Sequence, residues 1–441
     1  MVSPVTRVVV SLALLASVLL LCGGCKTDDD ESSPNGRPFS LHIATSAIWG
    51  DSQLYVLVHD RTGEQLLAVR QITGTGVTTF PPLGERISVT IAQISEDYQD
   101  IRTYLDVPAG DWYMGDSLQQ SLRTHHLTLD ITYPPGDNAY LSLGTDGNNT
   151  GMLISAEDST GCRIGFEVQC SAPDSTGSIL GMVAGRDPGY CGWLLDLPVT
   201  ASDCTHYALR LDQVAEMHTI GFSQPVRNLS VNALRGSHPQ SIMEWSANVQ
   251  TDSRALSIPF CPEFPASKYF VACDCYASMY YCSLEQLVSQ LPSSVTVPEV
   301  YLSATYDSYR LEVRDISYVG TVDAIEATWR QTTLDGPQCY WTVAARPGIT
   351  TLHRPTLPDS LLTAFGIAQV ELAPIGVSAE DYDVAHDFDA FVALQFRRAS
   401  SIYTGYHSHS YTTHYLDASA AGEAIRLHHE GRRLRPAGTS R

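Results

Sequence analysis

The stretch Arg86-Ile87-Ser88-Val89-Thr90-Ile91 alternates polar and apolar side chains, and Leu127–Ile131 has the same period of two. Successive side chains of a β-strand point to opposite faces of the sheet, so this alternation predicts strands that are buried on one face. Leu54–Val58 is apolar on both faces and predicts a central strand. Turn residues separate these stretches, which predicts roughly eight strands in residues 39–133, most economically arranged as a β-sandwich.

Beyond this region the sequence continues as short β-rich segments separated by turn residues. Tyr133-Pro134-Pro135-Gly136 is a candidate linker. We therefore predict an all-β fold, with two to three β-sandwich-like domains in series and a short Cys-rich helical insertion. The expected units are a signal peptide at 1–24, an acidic tether at 25–38, β-rich domains at 39–133, 134–260 and 296–420, a Cys-rich segment at 261–295, and a basic tail at 421–441.

Three later elements are predicted from local patterns. Ser283 and Gln286 form a capping box before a helix whose apolar face comprises Leu284, Leu287, Val288 and Leu291. A second short helix is expected after Pro358, with Asp359 as its cap. Every second residue of 388–396 is apolar, which predicts a strand. Its apolar face would comprise Phe388, Ala390, Val392, Leu394 and Phe396.

The N-terminal segment predicts export. Val8–Leu21 is an apolar run too short to span a bilayer as a mature helix, which is typical of a secretory signal. The following Leu21-Cys22-Gly23-Gly24-Cys25 and the acidic stretch after Lys26 resemble the processing site of a bacterial lipoprotein. The resemblance implies that Cys25 is lipidated and that the protein is an outer-membrane lipoprotein on the periplasmic or surface face. The alternative is an ordinary cleaved signal with two incidental cysteines.

Charge restricts the class of partner. The 441-residue chain has a formal net charge of −21, which argues against nucleic acid or anionic lipid as a ligand. The expected contact with the membrane is therefore through the lipid anchor. Glycan and protein remain as candidate ligands.

Nine cysteines follow Cys25, and in an exported chain they are expected to form disulfides, with one left over. They are Cys162, Cys170, Cys191, Cys204, Cys261, Cys273, Cys275, Cys282 and Cys339. Proximity in sequence suggests Cys162–Cys170 and Cys191–Cys204, with a knot within residues 261–282. The alternative for Cys273, Cys275 and Cys282 is a zinc site.

Two clusters could hold a metal ion. On a strand, His407 and His409 would share one face, as in a chelating H-x-H pair. The same residues and the neighbouring tyrosines could instead form a polar hairpin or a platform for sugar rings. A second cluster could supply oxygen ligands to structural calcium, or could be a solvated loop. It comprises Asp381, Asp383, Asp387 and Asp389.

Motifs of the common enzyme classes are absent: the sequence contains no G-x-S-x-G, HExxH, Walker loop or strand-linked GxGxxG. We expect a lipid-anchored envelope protein that acts as a binding or structural module for glycan, protein or cell-wall material. No catalytic residue or cofactor is assigned, apart from the calcium considered above. The alternative is a glycan-active hydrolase with structural calcium, which would need two carboxylates facing each other across a cleft.

Overall fold

The structure is a computed structural model in which part of the chain is described. The described residues are 36–44, 47, 52–96, 98–115, 122–135, 139–145, 154–156, 161–171, 176–184, 188–198, 205–234, 241–277, 280–299, 301–307, 312–331, 338–365, 367, 372–396 and 408–416. The predicted signal peptide, Cys25 and the basic tail lie outside them. In the part of the chain that is described, no helix is long and apolar enough to cross a membrane.

Strands dominate the described residues, which confirms the all-β prediction. The strands are β1 Phe39–Ile43, β2 Gln53–His59, β3 Leu66–Ile72, β4 Gly76–Phe80, β5 Arg86–Ile94, β6 Tyr98–Pro108, β7 Asp111–Met114, β8 Leu122–Thr132, β9 Ala139–Thr145, β10 Ile154–Ala156, β11 Gly161–Ser171, β12 Thr176–Ala184, β13 Gly189–Pro198, β14 Thr205–Arg210, β15 Gln213–Leu234, β16 Ser241–Phe260, β17 Lys268–Ala277, β18 Tyr280–Val288, β19 Ser294–Val295, β20 Tyr301–Asp307, β21 Glu312–Val319, β22 Ala324–Gln331, β23 Gln338–Ala345, β24 Thr351–Leu352, β25 Leu372–Tyr382 and β26 Ser408–Tyr415. The helices are α1 Asp359–Phe365 and α2 Phe388–Gln395.

One long sheet organises the fold. Its strands pair in the order β3–β2–β5–β6–β23–β22–β25–β26–β18–β17–β15–β16. Within this series, only the pairing of β6 with β23 is parallel. The predicted units at 39–133 and 296–420 therefore contribute strands to the same sheet.

The two faces of this sheet differ in composition. On one face, cross-strand pairs such as Trp329 and Trp341 pack with α1 and with the small sheet of β20, β21 and β24. On the other face, residues of β2, β5 and β6 pack beneath α2 and the small sheet of β1, β4 and β7. We refer to the long sheet's tryptophan-bearing face as the apolar face.

The strand β5 departs from its predicted half-exposed environment, because it is buried on both faces. Its polar side chains are accommodated by hydrogen bonds: Ser88 Oγ donates to the Arg61 carbonyl at 3.0 Å, and Thr90 Oγ1 lies 3.2 Å from His59 Nε2. Buried polar groups are tolerated when they are hydrogen-bonded. Alternation therefore identified the strand but not its second covered face.

A second core lies in the middle of the chain. The sheet β11–β8–β14 packs against β9, β12 and β13 through apolar residues such as Leu129, Leu143 and Ile179. Gly192 on β13 allows this close approach, because a Cβ there would lie 1.9 Å from the carbonyl oxygen of Arg210. A backbone approach this close requires a glycine.

The helix predicted after Ser283 is wrong, because this segment forms β18. β18 pairs with β17 on one side and with β26 on the other, so Leu284 lies opposite both Cys273 and Ser410. Hydrogen bonds along both edges of the strand outweigh the local helical pattern, since tertiary context overrides helix propensity.

The strand predicted at 388–396 is also wrong, because residues 388–395 form α2. Asp387 is the N-cap, and its Oδ1 accepts a hydrogen bond from the Ala390 N–H at 2.8 Å. The buried residues Phe388, Phe391 and Val392 have helical i, i+3, i+4 spacing, which the period-two pattern concealed. The helix predicted after Pro358 is confirmed as α1.

The cysteine pairing differs from the expected one. Cys191 forms a disulfide with Cys261, with a Cα–Cα distance of 6.3 Å, so the predicted Cys191–Cys204 bond and the closed knot of 261–282 are wrong. Cys162 is a free thiol. It shares β11 with Cys170, eight residues further on, and an extended strand separates their Cα atoms by roughly 26 Å. A disulfide cannot span that distance. Cys204 lies outside the described residues.

Candidate functional site: the polar face of the long sheet

The face opposite the apolar face carries polar side chains between β6 and β18. Residues directly opposite each other on paired strands point to the same face. Arg102 lies beside Thr342, which lies opposite Thr328. Glu326 lies opposite Ser378. We call this surface the polar face; it comprises Tyr98, Asp100, Arg102, Tyr340, Thr342, Glu326, Thr328, Ser378, Glu380, His409, Tyr411, Thr413 and Glu285.

An accessible aromatic pair lies at one end of the polar face. The ring centroids of Tyr98 and Tyr340 are 5.9 Å apart. Tyr98 is 39% exposed, whereas Tyr104, the other tyrosine of β6, is buried. The pair therefore presents ring surface to a ligand.

Arg102 provides an accessible charge next to the aromatic pair. Its Nε lies 3.5 Å from Asp100 Oδ2, and its side chain is 55% exposed. The Coulomb attraction of Asp100 raises the pKa of Arg102. The Asp100 side chain is 16% exposed, so a ligand would reach this pair through its Arg102 end.

Glu326 and Glu380 form a carboxyl pair at the centre of the polar face. They lie diagonally across β22 and β25, so both side chains are on the polar face. Burial and the neighbouring Glu380 raise the pKa of Glu326 to about 8. Burial and a nearby negative charge both disfavour the ionised form of a carboxyl group, so Glu326 is the member of the pair that favours its protonated form.

His409 connects this pair to β18. Its Nε2 lies 3.4 Å from Glu380 Oε2, its Nδ1 lies 3.5 Å from Glu285 Oε2, and its ring stacks on Tyr382 with centroids 3.9 Å apart. Burial alone would lower the pKa of His409, but the neighbouring carboxylates of Glu285 and Glu380 raise it to about 9. The imidazole is therefore protonated at neutral pH; its Nδ1 hydrogen-bonds to Glu285, and its Nε2 forms an ion pair with Glu380.

We expect the free energy of unfolding to decrease as pH rises from about 6.5 to about 9. A group whose pKa is raised on folding stabilises the protein fully below its unfolded pKa of about 6.5. For His409 this contribution is lost as pH passes through its folded value of about 9. Glu285→Gln removes one hydrogen-bond acceptor and should make the decrease smaller. Chemical denaturation at about pH 6 and about pH 9.5 measures the difference.

Glu312→Gln is the matched control for this measurement. Glu312 accepts hydrogen bonds from Arg314 on β21, away from the polar face, so its removal should leave the decrease unchanged. Glu326, whose pKa is also raised by burial, is present in all three proteins. An equal decrease in Glu285→Gln and in the wild type would contradict the assignment to His409.

The predicted metal ligands have other partners in this structure. Both ring nitrogens of His409 face carboxylates, and His407 lies outside the described residues. Asp387 caps α2, and Asp389 accepts hydrogen bonds from Arg86 and Arg346.

The remaining candidates form no metal cluster either. Asp381 is half-buried and Asp383 is exposed. Cys273, Cys275 and Cys282 share the apolar face of β17 and β18. No group of three or more His, Cys, Asp or Glu residues that could hold a metal ion occurs in the described part of the chain, and this includes the proposed calcium and zinc ligands.

The sequence patterns did not identify most of the residues that form the polar face. Arg102, Glu326, Glu380 and Glu285 lie on four strands that are distant in sequence. A weak signal was present: Glu326 is a single charged residue in the otherwise apolar stretch Ala324–Ala327. An isolated charge in a buried strand indicates either a paired buried group or a site.

Comparisons with known proteins give no family. No family model matches the chain, and no curated protein matches it.

Proposed function

We propose that the protein is a ligand-binding module of the cell envelope and that the polar face binds a hydroxyl-rich ligand, a glycan. The observation that carries the proposal is the Tyr98–Tyr340 pair, in which Tyr98 is exposed and Tyr340 half-buried, beside the accessible Arg102. Aromatic rings stack on the apolar faces of sugar rings, and nearby charged and hydroxyl groups hydrogen-bond to their edges.

The remainder of the polar face supplies matching hydrogen-bond chemistry. Thr328 and Thr342 hydroxyls lie 3.0 Å apart beside Arg102, and the Glu326–Glu380 pair lies in the adjoining rows. These groups both donate and accept hydrogen bonds, as a sugar hydroxyl does. A net charge of −21 disfavours a polyanionic ligand, so a neutral glycan is the best match.

A glycan array tests the proposal. The full chain, extracted in detergent and labelled, should bind a subset of neutral glycans. A Tyr98→Ala/Arg102→Ala variant should lose that signal, because it removes the stacking surface and the charged donor. Tyr301→Ala/Arg163→Ala is the matched control. Tyr301 is 66% exposed on β20, and Arg163 on β11 pairs with Asp130 on β8, away from the polar face. Binding to no glycan would overturn the proposal.

We also propose that Cys25 anchors the protein in the outer membrane. The support is the apolar run Val8–Leu21 with the Gly-Gly-Cys site and the acidic stretch that follow it. Dual acylation is sufficient for stable anchoring, whereas one chain binds only marginally.

The anchor gives a direct prediction. Mass spectrometry of the mature N-terminus should find an acylated Cys25, and Cys25→Ala should move the protein out of the membrane fraction. Cys22→Ala is the matched control and should remain in the membrane fraction. A mature protein that begins beyond residue 25 without acylation would contradict the proposal.

A further inference from the structure

Five charged side chains meet at the end of the long sheet where α2 begins. Arg61 lies in the turn after β2, Arg86 is the first residue of β5, and Arg346 directly follows β23. Asp106 lies near the end of β6, and Asp389 lies in the first turn of α2. We call these five residues the arginine cluster. They come from five separate elements, so only the fold brings them together.

Asp106 is the centre of the arginine cluster, because all three arginines contact it. Arg61 binds it with two hydrogen bonds, from Nε to Oδ1 at 2.7 Å and from Nη2 to Oδ2 at 3.1 Å. Arg86 Nε donates to Oδ1 at 2.7 Å, and Arg346 Nε lies 3.2 Å from Oδ2. The three guanidinium groups therefore surround a single carboxylate.

Asp389 neutralises a second of the three positive charges. It accepts hydrogen bonds from Arg86 Nη1 at 3.0 Å, from Arg86 Nη2 at 2.9 Å, and from Arg346 Nη2 at 2.8 Å. The nearby Asp60 is engaged in its own turn, where its Oδ1 accepts a hydrogen bond from the Gln65 N–H at 3.0 Å. Three guanidinium groups and two carboxylates leave the arginine cluster with one positive charge in excess.

Two of the arginines are open to solvent. The side chains of Arg61 and Arg346 are 67% and 42% exposed, whereas Arg86 is half-buried. In the described part of the chain, Nη1 of Arg61 and Nη1 of Arg346 have no hydrogen-bond partner. The cluster therefore presents two guanidinium ends with available donors beside one carboxylate, that of Asp106.

The excess positive charge is local, although the whole chain has a net charge of −21. Surface charges more than about 8 Å apart are largely screened at physiological ionic strength. A small anion at the arginine cluster therefore experiences the three arginines and two aspartates more strongly than the charge of the whole chain. The net charge still disfavours a polyanion, so the cluster fits a single anionic group.

We propose that the arginine cluster binds a phosphate group, held by Arg61 and Arg346. Guanidinium groups match the geometry of phosphate and remain charged at physiological pH. A phosphate group offers three acceptor oxygens, so it can accept hydrogen bonds from two guanidinium groups at once. Asp106 and Asp389 already hold the guanidinium groups in place, so little side-chain freedom is lost on binding. None of the five residues belongs to the polar face, so this site is independent of the proposed glycan site.

Calorimetric titration of inorganic phosphate into the full chain tests the proposal, with chloride at the same ionic strength as the reference. Wild type should bind phosphate with saturation. Arg61→Ala should weaken the affinity at least about tenfold, because it removes a charge-assisted hydrogen bond and the excess charge. Arg163→Ala is the matched control and should leave the affinity unchanged. Arg163 is exposed and pairs with Asp130 through Nε and Nη2, as Arg61 does with Asp106.

Asp389→Asn separates a binding site from a purely structural network. The amide keeps the size of the side chain and one acceptor oxygen but removes a negative charge, so the excess charge of the arginine cluster rises from one to two. Phosphate affinity should then increase about threefold, because one nearby repulsive charge is lost. A network that only joins α2 to the sheet would gain no phosphate affinity from this change. A thermal melt of each variant without phosphate verifies that it is folded.

Three results would overturn the inference: identical heats for phosphate and chloride in wild type, equal phosphate affinity in wild type and Arg61→Ala, or weaker binding in folded Asp389→Asn than in wild type. Glycan titration of the same variants keeps the two proposals apart, because Arg61→Ala should bind glycan with wild-type affinity. Failure of the glycan array overturns the glycan site alone, and absence of phosphate binding overturns the phosphate site alone.

Discussion

Trp341→Ala is expected to lower the free energy of unfolding by about 3–5 kcal/mol, the range for truncating a buried aromatic side chain. Trp341 is 1% exposed and lies opposite Trp329 on the apolar face. Its Nε1–H donates to Thr103 Oγ1 at 3.0 Å, so the substitution also removes a buried hydrogen bond. The cavity would lie between the long sheet and α1, where the neighbouring strands can collapse only slightly.

Urea denaturation of the full chain measures this effect, with Trp341→Phe and Tyr301→Ala as comparisons. Trp341→Phe retains much of the ring volume and should cost clearly less than Trp341→Ala. Tyr301→Ala removes a strand aromatic that is 66% exposed, so its effect should lie within about 0.5 kcal/mol. Equal effects of Trp341→Ala and Tyr301→Ala would contradict the assigned core.

Replacing both Cys191 and Cys261 by serine is expected to lower the free energy of unfolding by about 4 kcal/mol. The bond joins residues separated by 70 positions, and constraining a loop of this length in the unfolded chain gives a stabilisation of this size. The bond ties β13 to the turn after β16, within the apolar cluster that includes Val231 and Leu256.

The matched control is Cys162→Ser, because Cys162 is a free and half-exposed thiol on β11. Thermal melts with and without reductant should show a large shift for wild type and for Cys162→Ser. The double serine variant should show no shift with reductant. A wild-type melting temperature that is insensitive to reductant would contradict the pairing.

Sequence patterns predicted the positions of the strands better than they predicted which faces of those strands are buried. Leu54–Val58 lies in β2, and the alternation at residues 86–91 lies in β5. The second covered face of β5 depends on β1, β4, β7 and α2, which reach it from elsewhere in the chain. No local pattern carries that information, because burial of the second face is a tertiary property.

The two wrong elements show what local patterns miss. Residues 388–396 satisfy a period of two, and they also place Phe388, Phe391 and Val392 at helical spacing. Asp387 distinguishes the helix from the strand. As the N-cap, its side chain accepts a hydrogen bond from Ala390, one of the N–H groups that have no backbone partner in the first turn of a helix. The residues after Ser283 present the opposite case, since hydrogen bonds from two partner strands overcome a valid helix signal.

The candidate site depends even more on long-range pairing. His409 was identified from its own cluster, but its neighbours Glu380 and Glu285 come from β25 and β18. The parallel pairing of β6 with β23 brings Tyr98 and Arg102 to the same surface. Register across distant strands is set by the whole fold, so these residues could not be grouped from sequence.

Calorimetric titration of the best array glycan into the full chain tests the central claim most directly. Tyr98→Ala/Arg102→Ala should weaken binding at least about thirtyfold, or about 2 kcal/mol, because it removes one stacking contact and one charged hydrogen-bond donor. The matched Tyr301→Ala/Arg163→Ala protein should bind with wild-type affinity. Equal affinity in the two double variants would contradict the assignment of glycan binding to the polar face.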